Sequence, residues 1–174
     1  MNNRLLWANG WRFVILVAIQ AIILSEVSLT TEGYANILIY PLFILFLPIQ
    51  IATPAAVFWG FMVGLAVDHF AYTYGINASA GALSGYTRAV ILKRYAPRGE
   101  FTGKETIPST EYFGWRWFLI VTAIFYGIHI FWYFSVAYFT PVYFIEKIIP
   151  QAILGWILSM LVVIVLTRLF HPKI

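Results

Sequence analysis

The sequence predicts an all-α integral membrane protein, a single domain over residues 1–174 with six transmembrane helices. Three observations predict it. Hydrophobic residues make up 61% of the chain and charged residues only 10%, against ~25% charged in a typical soluble domain. Apolar runs close to the ~20 residues that span ~30 Å of hydrocarbon recur along the chain, separated by short polar turns. The basic residues flank those runs and gather on one side of them, the pattern that orientation in a membrane produces.

The first run covers about 13–29 and ends at Glu26 and the polar stretch from Thr30 to Gly33. Arg4 and Arg12 precede it like the charged start of a signal peptide, but no small-residue cleavage site follows Leu29, which predicts an uncleaved helix. The second run, about 37–52, contains Pro41 and Pro48, each of which removes a backbone donor and bends a helix. Thr53-Pro54 then makes a tight connection, and Pro54 suits the first turn of a third helix, about 54–72. After a turn at Tyr74 to Asn77 comes the fourth candidate, about 78–92, the least apolar and richest in small residues. Residues 93–116 are the only long polar segment, with Lys93, Arg94, Arg98, Lys104 and Arg116 mixed with Glu100, Glu105, Glu111 and two prolines. This reads as a solvated loop with an interfacial stretch at Tyr112, Phe113, Trp115 and Trp117, where amphipathic rings meet headgroups. The fifth and sixth helices are predicted at about 117–139 and 144–170.

With the N-terminus in the cytoplasm, nine of the eleven basic residues fall on the cytoplasmic side, together with both ends and the 93–116 loop. Arg88 lies within the fourth helix and Lys147 near the outer end of the sixth. The inverted orientation breaks the positive-inside bias. The net charge of +4 is thereby accounted for without nucleic acid, and the absence of cysteine excludes disulfides and thiolate chemistry.

The densest functional signal runs from Gly60 to Arg88. Gly60 and Gly64 are four apart on the third helix; Ala78, Gly81 or Ala82, Gly85 and Ala89 share one face of the fourth, with Ser84 beside it. Such stripes let two helix backbones approach closely where lipid supplies no hydrophobic drive, so the two helices are expected to form a tightly packed antiparallel hairpin. Space left by small residues could also receive a partner helix. Asp68 lies about one turn inside the outer end of the third helix. An ionisable group there costs ~3 kcal/mol on insertion scales and must face protein or water. It could reach the interface, bond backbone donors of the following turn, make a functional polar contact, or pair with Lys147 at a similar depth. Arg88 is expected to snorkel toward cytoplasmic headgroups. His129, among aromatics of the fifth helix, is expected to hydrogen-bond within the bundle, since no second histidine is placed to help hold a metal. A hydrolase elbow, a phosphate-binding glycine loop and an acidic cluster for a divalent cation are all missing, which speaks against an enzyme and against any cofactor.

The segment Gly64-Leu65-x-x-Asp68-x-Phe70-x-x-Thr73-x-Gly75-x-x-Ala78, followed by Arg88, resembles the MreD family of rod-shape-determining membrane proteins in its Bacteroidetes-type form. Asn9, Arg12, Phe13, Gln20, Gly33 to Asn36, Tyr40-Pro41 and Pro48 extend the likeness over roughly residues 1–100; where many members carry histidine this chain has Asn77. The resemblance implies a fold similar to the substrate-binding (S) component of energy-coupling-factor transporters and a place in the bacterial inner membrane. It also implies a non-enzymatic role in peptidoglycan elongation: association with MreC and, in the same complex, MreB, RodA and a class B penicillin-binding transpeptidase. Gly64, Asp68, Gly75 and Arg88 are its motif residues here. The alternative on the same fold is a vitamin-like binding subunit of a transporter. Such subunits dock their partner through small residues four apart on the first helix. Here Ala18 and Ala21 are three apart, and Ala21–Ser25 continues that face only weakly.

Overall fold

A computed structural model describes residues 3–24, 36–96 and 107–170. Among these residues the chain is all-helical. α1 is Asn3–Ala18 and continues into a wider π-helical turn, Ile19–Leu24; α2 is the short Pro41–Leu45; α3 is Thr53–Ala71; α4 is Ile76–Arg94; α5 is Thr110–Tyr138; and α6 is Ile149–Phe170, entered through irregular turns at Pro141–Tyr143 and Phe144–Ile148. Three helices are long and apolar enough to cross a membrane: Thr53–Ala71, Thr110–Tyr138 and Phe144–Leu169. A shorter apolar helix runs over Asn9–Ile22.

Consecutive long helices pack against one another, α3 on α4, α4 on α5 and α5 on α6, while α2 sits among α1, α3, α4 and α5. Bulky side chains fill the space between them: Tyr40, Ile44, Phe118, Phe125, Tyr126, His129 and Ile130 are fully buried. The opposite faces present Trp11, Ile15, Phe58, Leu65, Ile157 and Leu161 outward. An apolar outside around a filled inside is the surface that lipid requires.

The largest departure from expectation is the second apolar run. Residues 37–52 form no through-going helix: 36–39 lack helical structure, Pro41–Leu45 makes a five-residue helix, and turns follow. The prolines set these limits. Pro41 starts the helix where its missing N–H costs nothing, and Pro48 cannot donate to a carbonyl one turn back. Hydropathy does not register the break, because Leu38 to Leu47 are all buried.

Elsewhere the differences lie at helix ends. α1 begins well before residue 13, and the expected end of the first helix at 25–29 lies outside the described residues. Its π turn falls where Gln20 is turned inward, an insertion that widens a helix. α4 starts at Ile76 because Gly75, at φ 83°, supplies the left-handed residue before it. α5 starts at Thr110, with a break at Gly114 (φ 77°, ψ 165°) that sets Tyr112 and Phe113 apart from the long helix. Only part of the expected 93–116 loop is therefore non-helical, and residues 97–106 of it, with Arg98, Glu100, Lys104 and Glu105, lie outside the described residues. Pro150, lacking an N–H, accounts for the wide turn over Phe144–Ile148 that leads into α6.

Candidate functional site

The α3–α4 pair carries the signal found in the sequence, and it is a backbone-to-backbone contact. A Cβ placed on Gly60 would collide with the Gly81 carbonyl, and one on Gly81 with the Gly60 carbonyl. A Cβ on Gly64 would lie 2.7 Å from Ala78 Cα, and one on Gly85 would lie 2.6 Å from Val57 Cα. These four glycines and Ala78 therefore face the opposite helix. Such close approach gives dispersion contact along the whole pair, the main source of helix association in lipid.

Asp68 closes the turn end of this hairpin. Its Oδ1 accepts from Thr73 Oγ1 (2.6 Å), the Asn77 backbone N–H (3.0 Å) and Asn77 Nδ2 (3.0 Å), and its Oδ2 accepts from the Ala78 backbone N–H (2.8 Å). Asn77 Nδ2 also donates to Thr73 Oγ1 at 2.9 Å. Gly75 occupies the N-cap of α4 and has no side chain to offer. Asp68 does the capping from the preceding helix, satisfying two of the donors a helix leaves open and placing negative charge at the positive end of its dipole. Of the roles open to Asp68, the structure selects bonding to the following turn. The Lys147 pair does not form. Lys147 lies over the rings of Tyr143 (4.7 Å) and Tyr138 (5.9 Å), because its ammonium finds two aromatic faces at its own end of α6.

Arg88 corrects a second expectation. It does not reach for headgroups but turns inward, 2% exposed, with Nε donating to the Leu45 carbonyl (3.2 Å) and Nη2 to the carbonyls of Leu47 and Pro48 (3.1 Å to the latter). The break at Pro48 leaves the carbonyls of Leu45 and Leu47 without helical partners, while that of Pro48 also accepts from the Ile51 N–H (3.1 Å). Unsatisfied carbonyls at membrane depth cost several kcal/mol each. A guanidinium, with five donors in a planar fork, serves three acceptors at once and complements the negative end of α2.

The other side of the broken segment is held in the same manner. Gln20 Oε1 accepts from the N–H of Ile39 (2.7 Å) and of Tyr40 (3.4 Å), and Gln20 Nε2 donates to the Ile37 carbonyl (3.0 Å). Ser159 Oγ accepts from the Leu38 N–H (2.9 Å), and Tyr126 donates to the Ile39 carbonyl (3.3 Å). Tyr40 in turn donates to the Asn77 carbonyl (3.3 Å), joining this segment to the hairpin. Side chains from four helices thus replace the hydrogen bonds a regular helix would have made for itself. The sequence reading missed Gln20, Ser159 and Tyr126 in this role; the one available signal was a polar residue inside each apolar run.

His129 bonds within the bundle, as expected, with Nδ1 2.7 Å from Ser84 Oγ and its ring edge-on to Tyr40. A serine paired to a histidine is the beginning of a nucleophilic dyad. Both residues are fully buried, and among the described residues no carboxylate bonds the imidazole; the pair crosslinks α4 to α5. Among the described residues no three acidic or histidine side chains gather to hold a metal.

Taken together, the arrangement defines a class: an α-helical protein with three helices able to cross a membrane, in which Gln20, Asp68, Arg88, Tyr126 and Ser159 bond the protein's own backbone. No family model, curated protein or solved structure matches the chain.

Proposed function

We propose that the chain is a six-span protein of the bacterial inner membrane, both ends and the 93–116 loop cytoplasmic, acting as a non-enzymatic scaffold of the MreD kind in peptidoglycan elongation. In this reading it binds MreC directly and, in the same complex, meets MreB, RodA and a class B penicillin-binding transpeptidase. Its fold is that of the S components of energy-coupling-factor transporters. The second crossing is the broken segment 36–52. Extended residues rise ~3.3 Å and helical ones ~1.5 Å, so seventeen residues of this mixture reach across ~30 Å of hydrocarbon. α4, the most polar crossing, has most of its surface covered by α3 and α5.

One observation carries the proposal. The motif residues Gly64, Asp68, Thr73, Gly75, Ala78 and Arg88, through which the chain resembles the family, serve to fix one hairpin and the segment beside it. Gly64 and Ala78 permit close approach, Asp68 and Thr73 bind the turn, Gly75 reverses the chain and Arg88 holds the broken segment. A sequence pattern that specifies a rigid hairpin suits a protein whose product is a shape presented to other helices. The filled interior, with Tyr40, Tyr126, Phe125 and His129 at 0% exposure, favours this over the vitamin-binding alternative.

The test is purification of the tagged chain from its own cells in mild detergent. Recovery of a single-span MreC-like protein is expected; recovery of an ATPase-linked transporter, or of a tightly held vitamin, refutes the scaffold. In cells, Gly64→Leu, which forces α3 and α4 apart, is expected to round the rods and weaken partner recovery.

A further inference from the structure

We propose that the groove between α1, the segment around Pro48 and α3 is a binding site for one anionic phospholipid. The inference goes beyond the scaffold reading and rests only on the chain residing in a bilayer.

The groove holds about 330 Å³ and is lined by Asn9, Gly10, Phe13, Leu47, Pro48 and Trp59, among others. Its walls are apolar except at the Asn9 end. There the Asn9 Oδ1 accepts from Nη1 of Arg12 at 3.3 Å, and the Arg12 guanidinium lies 5.8 Å from the Phe46 ring centroid. Arg12 is half-buried, and among the described residues no carboxylate pairs with it. A guanidinium in that position has donors to spare and positive charge without a counterion, a combination that selects phosphate. Anionic headgroups are drawn to a basic residue at the membrane surface.

The apolar walls formed by Phe13, Leu47, Pro48 and Trp59 suit a stretch of acyl chain. Gly10 makes the room: a Cβ there meets nothing within 4 Å. With phosphate on Arg12, the chain runs past Gly10 and Phe13 toward Trp59. Buried CH₂ groups then add affinity to the charge contact.

The two halves of the site are tested by separate substitutions. Gly10→Leu occupies the groove from a position where a Cβ meets no protein atom within 4 Å, and it favours the helix; Arg12→Gln removes the charge. The purified chain is titrated with phosphatidylglycerol or phosphatidylcholine and read by native mass spectrometry. The unaltered chain is expected to retain one phosphatidylglycerol about fivefold more tightly than phosphatidylcholine, the size of effect one basic residue has on an anionic lipid. Arg12→Gln is expected to abolish the preference, and Gly10→Leu to weaken both lipids. Equal retention of the two lipids by the unaltered chain overturns the proposal, as does undiminished phosphatidylglycerol binding by Gly10→Leu. Displacement of the lipid by glycerol phosphate alone at equal concentration would make the site one for free phosphate. Loss of a co-purifying protein from Gly10→Leu with lipid retention unchanged would assign the groove to a partner. Because lipid binding is measured without any partner, its failure leaves the scaffold reading untouched, and the reverse holds as well.

Discussion

Replacing Asp68 by asparagine changes one atom and tests the hairpin's closure directly. In the native chain four donors converge on the carboxylate: two backbone N–H groups, one hydroxyl and one carboxamide. An asparagine keeps one acceptor oxygen and puts an NH₂ group where the other stood. If the oxygen stays toward Thr73 and Asn77, the NH₂ faces the Ala78 N–H; if it is flipped, the NH₂ faces the other three donors. Either way at least one backbone donor in the first turn of α4 loses its partner, and hydrogen bonds to a charged acceptor contribute ~1.5–3 kcal/mol each. The charge on the α4 dipole goes too, ~0.3–1 kcal/mol. Thr73 and Asn77 recover part of this through their mutual 2.9 Å bond. The expected destabilisation is ~2–4 kcal/mol. It is read from the tryptophan-fluorescence midpoint of unfolding by SDS in mixed micelles, at a pH well above the carboxylate range. A change under ~0.5 kcal/mol, the range of an ordinary surface substitution, would refute the assignment of Asp68 as the cap of α4.

Other substitutions follow from the same geometry. Gly60→Ala drives a methyl into the Gly81 carbonyl and is expected to cost ~1–3 kcal/mol or more. Gly127→Ala, whose nearest neighbour is Trp156 Nε1 at 3.7 Å, is the matched control and is expected to stay within ~0.5 kcal/mol in the same unfolding assay. Arg88→Met strands the carbonyls of Leu45 and Leu47 and is expected to cost ~3 kcal/mol or more; amide exchange over 41–51 is expected to rise before global unfolding does. Tyr72, at φ 54° and 88% exposed, forms the left-handed C-terminus of α3. Tyr72→Gly is therefore expected to raise the thermal midpoint, by up to ~1 kcal/mol of relieved backbone strain, and Gly75→Ala to lower it by a similar amount.

The hairpin was legible because its determinants are local. Glycines four apart on two neighbouring helices, a short connection and a carboxylate one turn from the end all fall within about thirty residues. The broken second segment was not legible, for a definite reason. Its residues are apolar because they are buried in protein, and hydropathy does not distinguish that solvent from lipid. Pro41 and Pro48 marked where a helix would be disturbed but not what would make good the lost hydrogen bonds. Those partners, Gln20, Arg88, Tyr126 and Ser159, come from four other parts of the chain, and no spacing rule connects them. Arg88 shows the cost of treating a residue alone: a long cation near a helix end snorkels unless orphaned carbonyls lie closer than the headgroups do. The Ser84–His129 contact is likewise a product of the α4–α5 packing and leaves no trace in either helix's pattern.

The clasped segment also constrains the order in which such a chain can be made. A helix that satisfies its own backbone is stable in lipid as soon as it leaves the insertion machinery. Residues 37–48 are not in that position, since their carbonyls and N–H groups are completed by Arg88 on α4, Tyr126 on α5 and Ser159 on α6. In a bilayer this stretch stays unfinished until α6 has been synthesised, because Ser159 on that helix supplies the bond to Leu38. A nascent chain arrested after α4 would carry exposed backbone polar groups that membrane quality control can recognise. Only a chain translated through α6 can complete the hydrogen bonds of this segment.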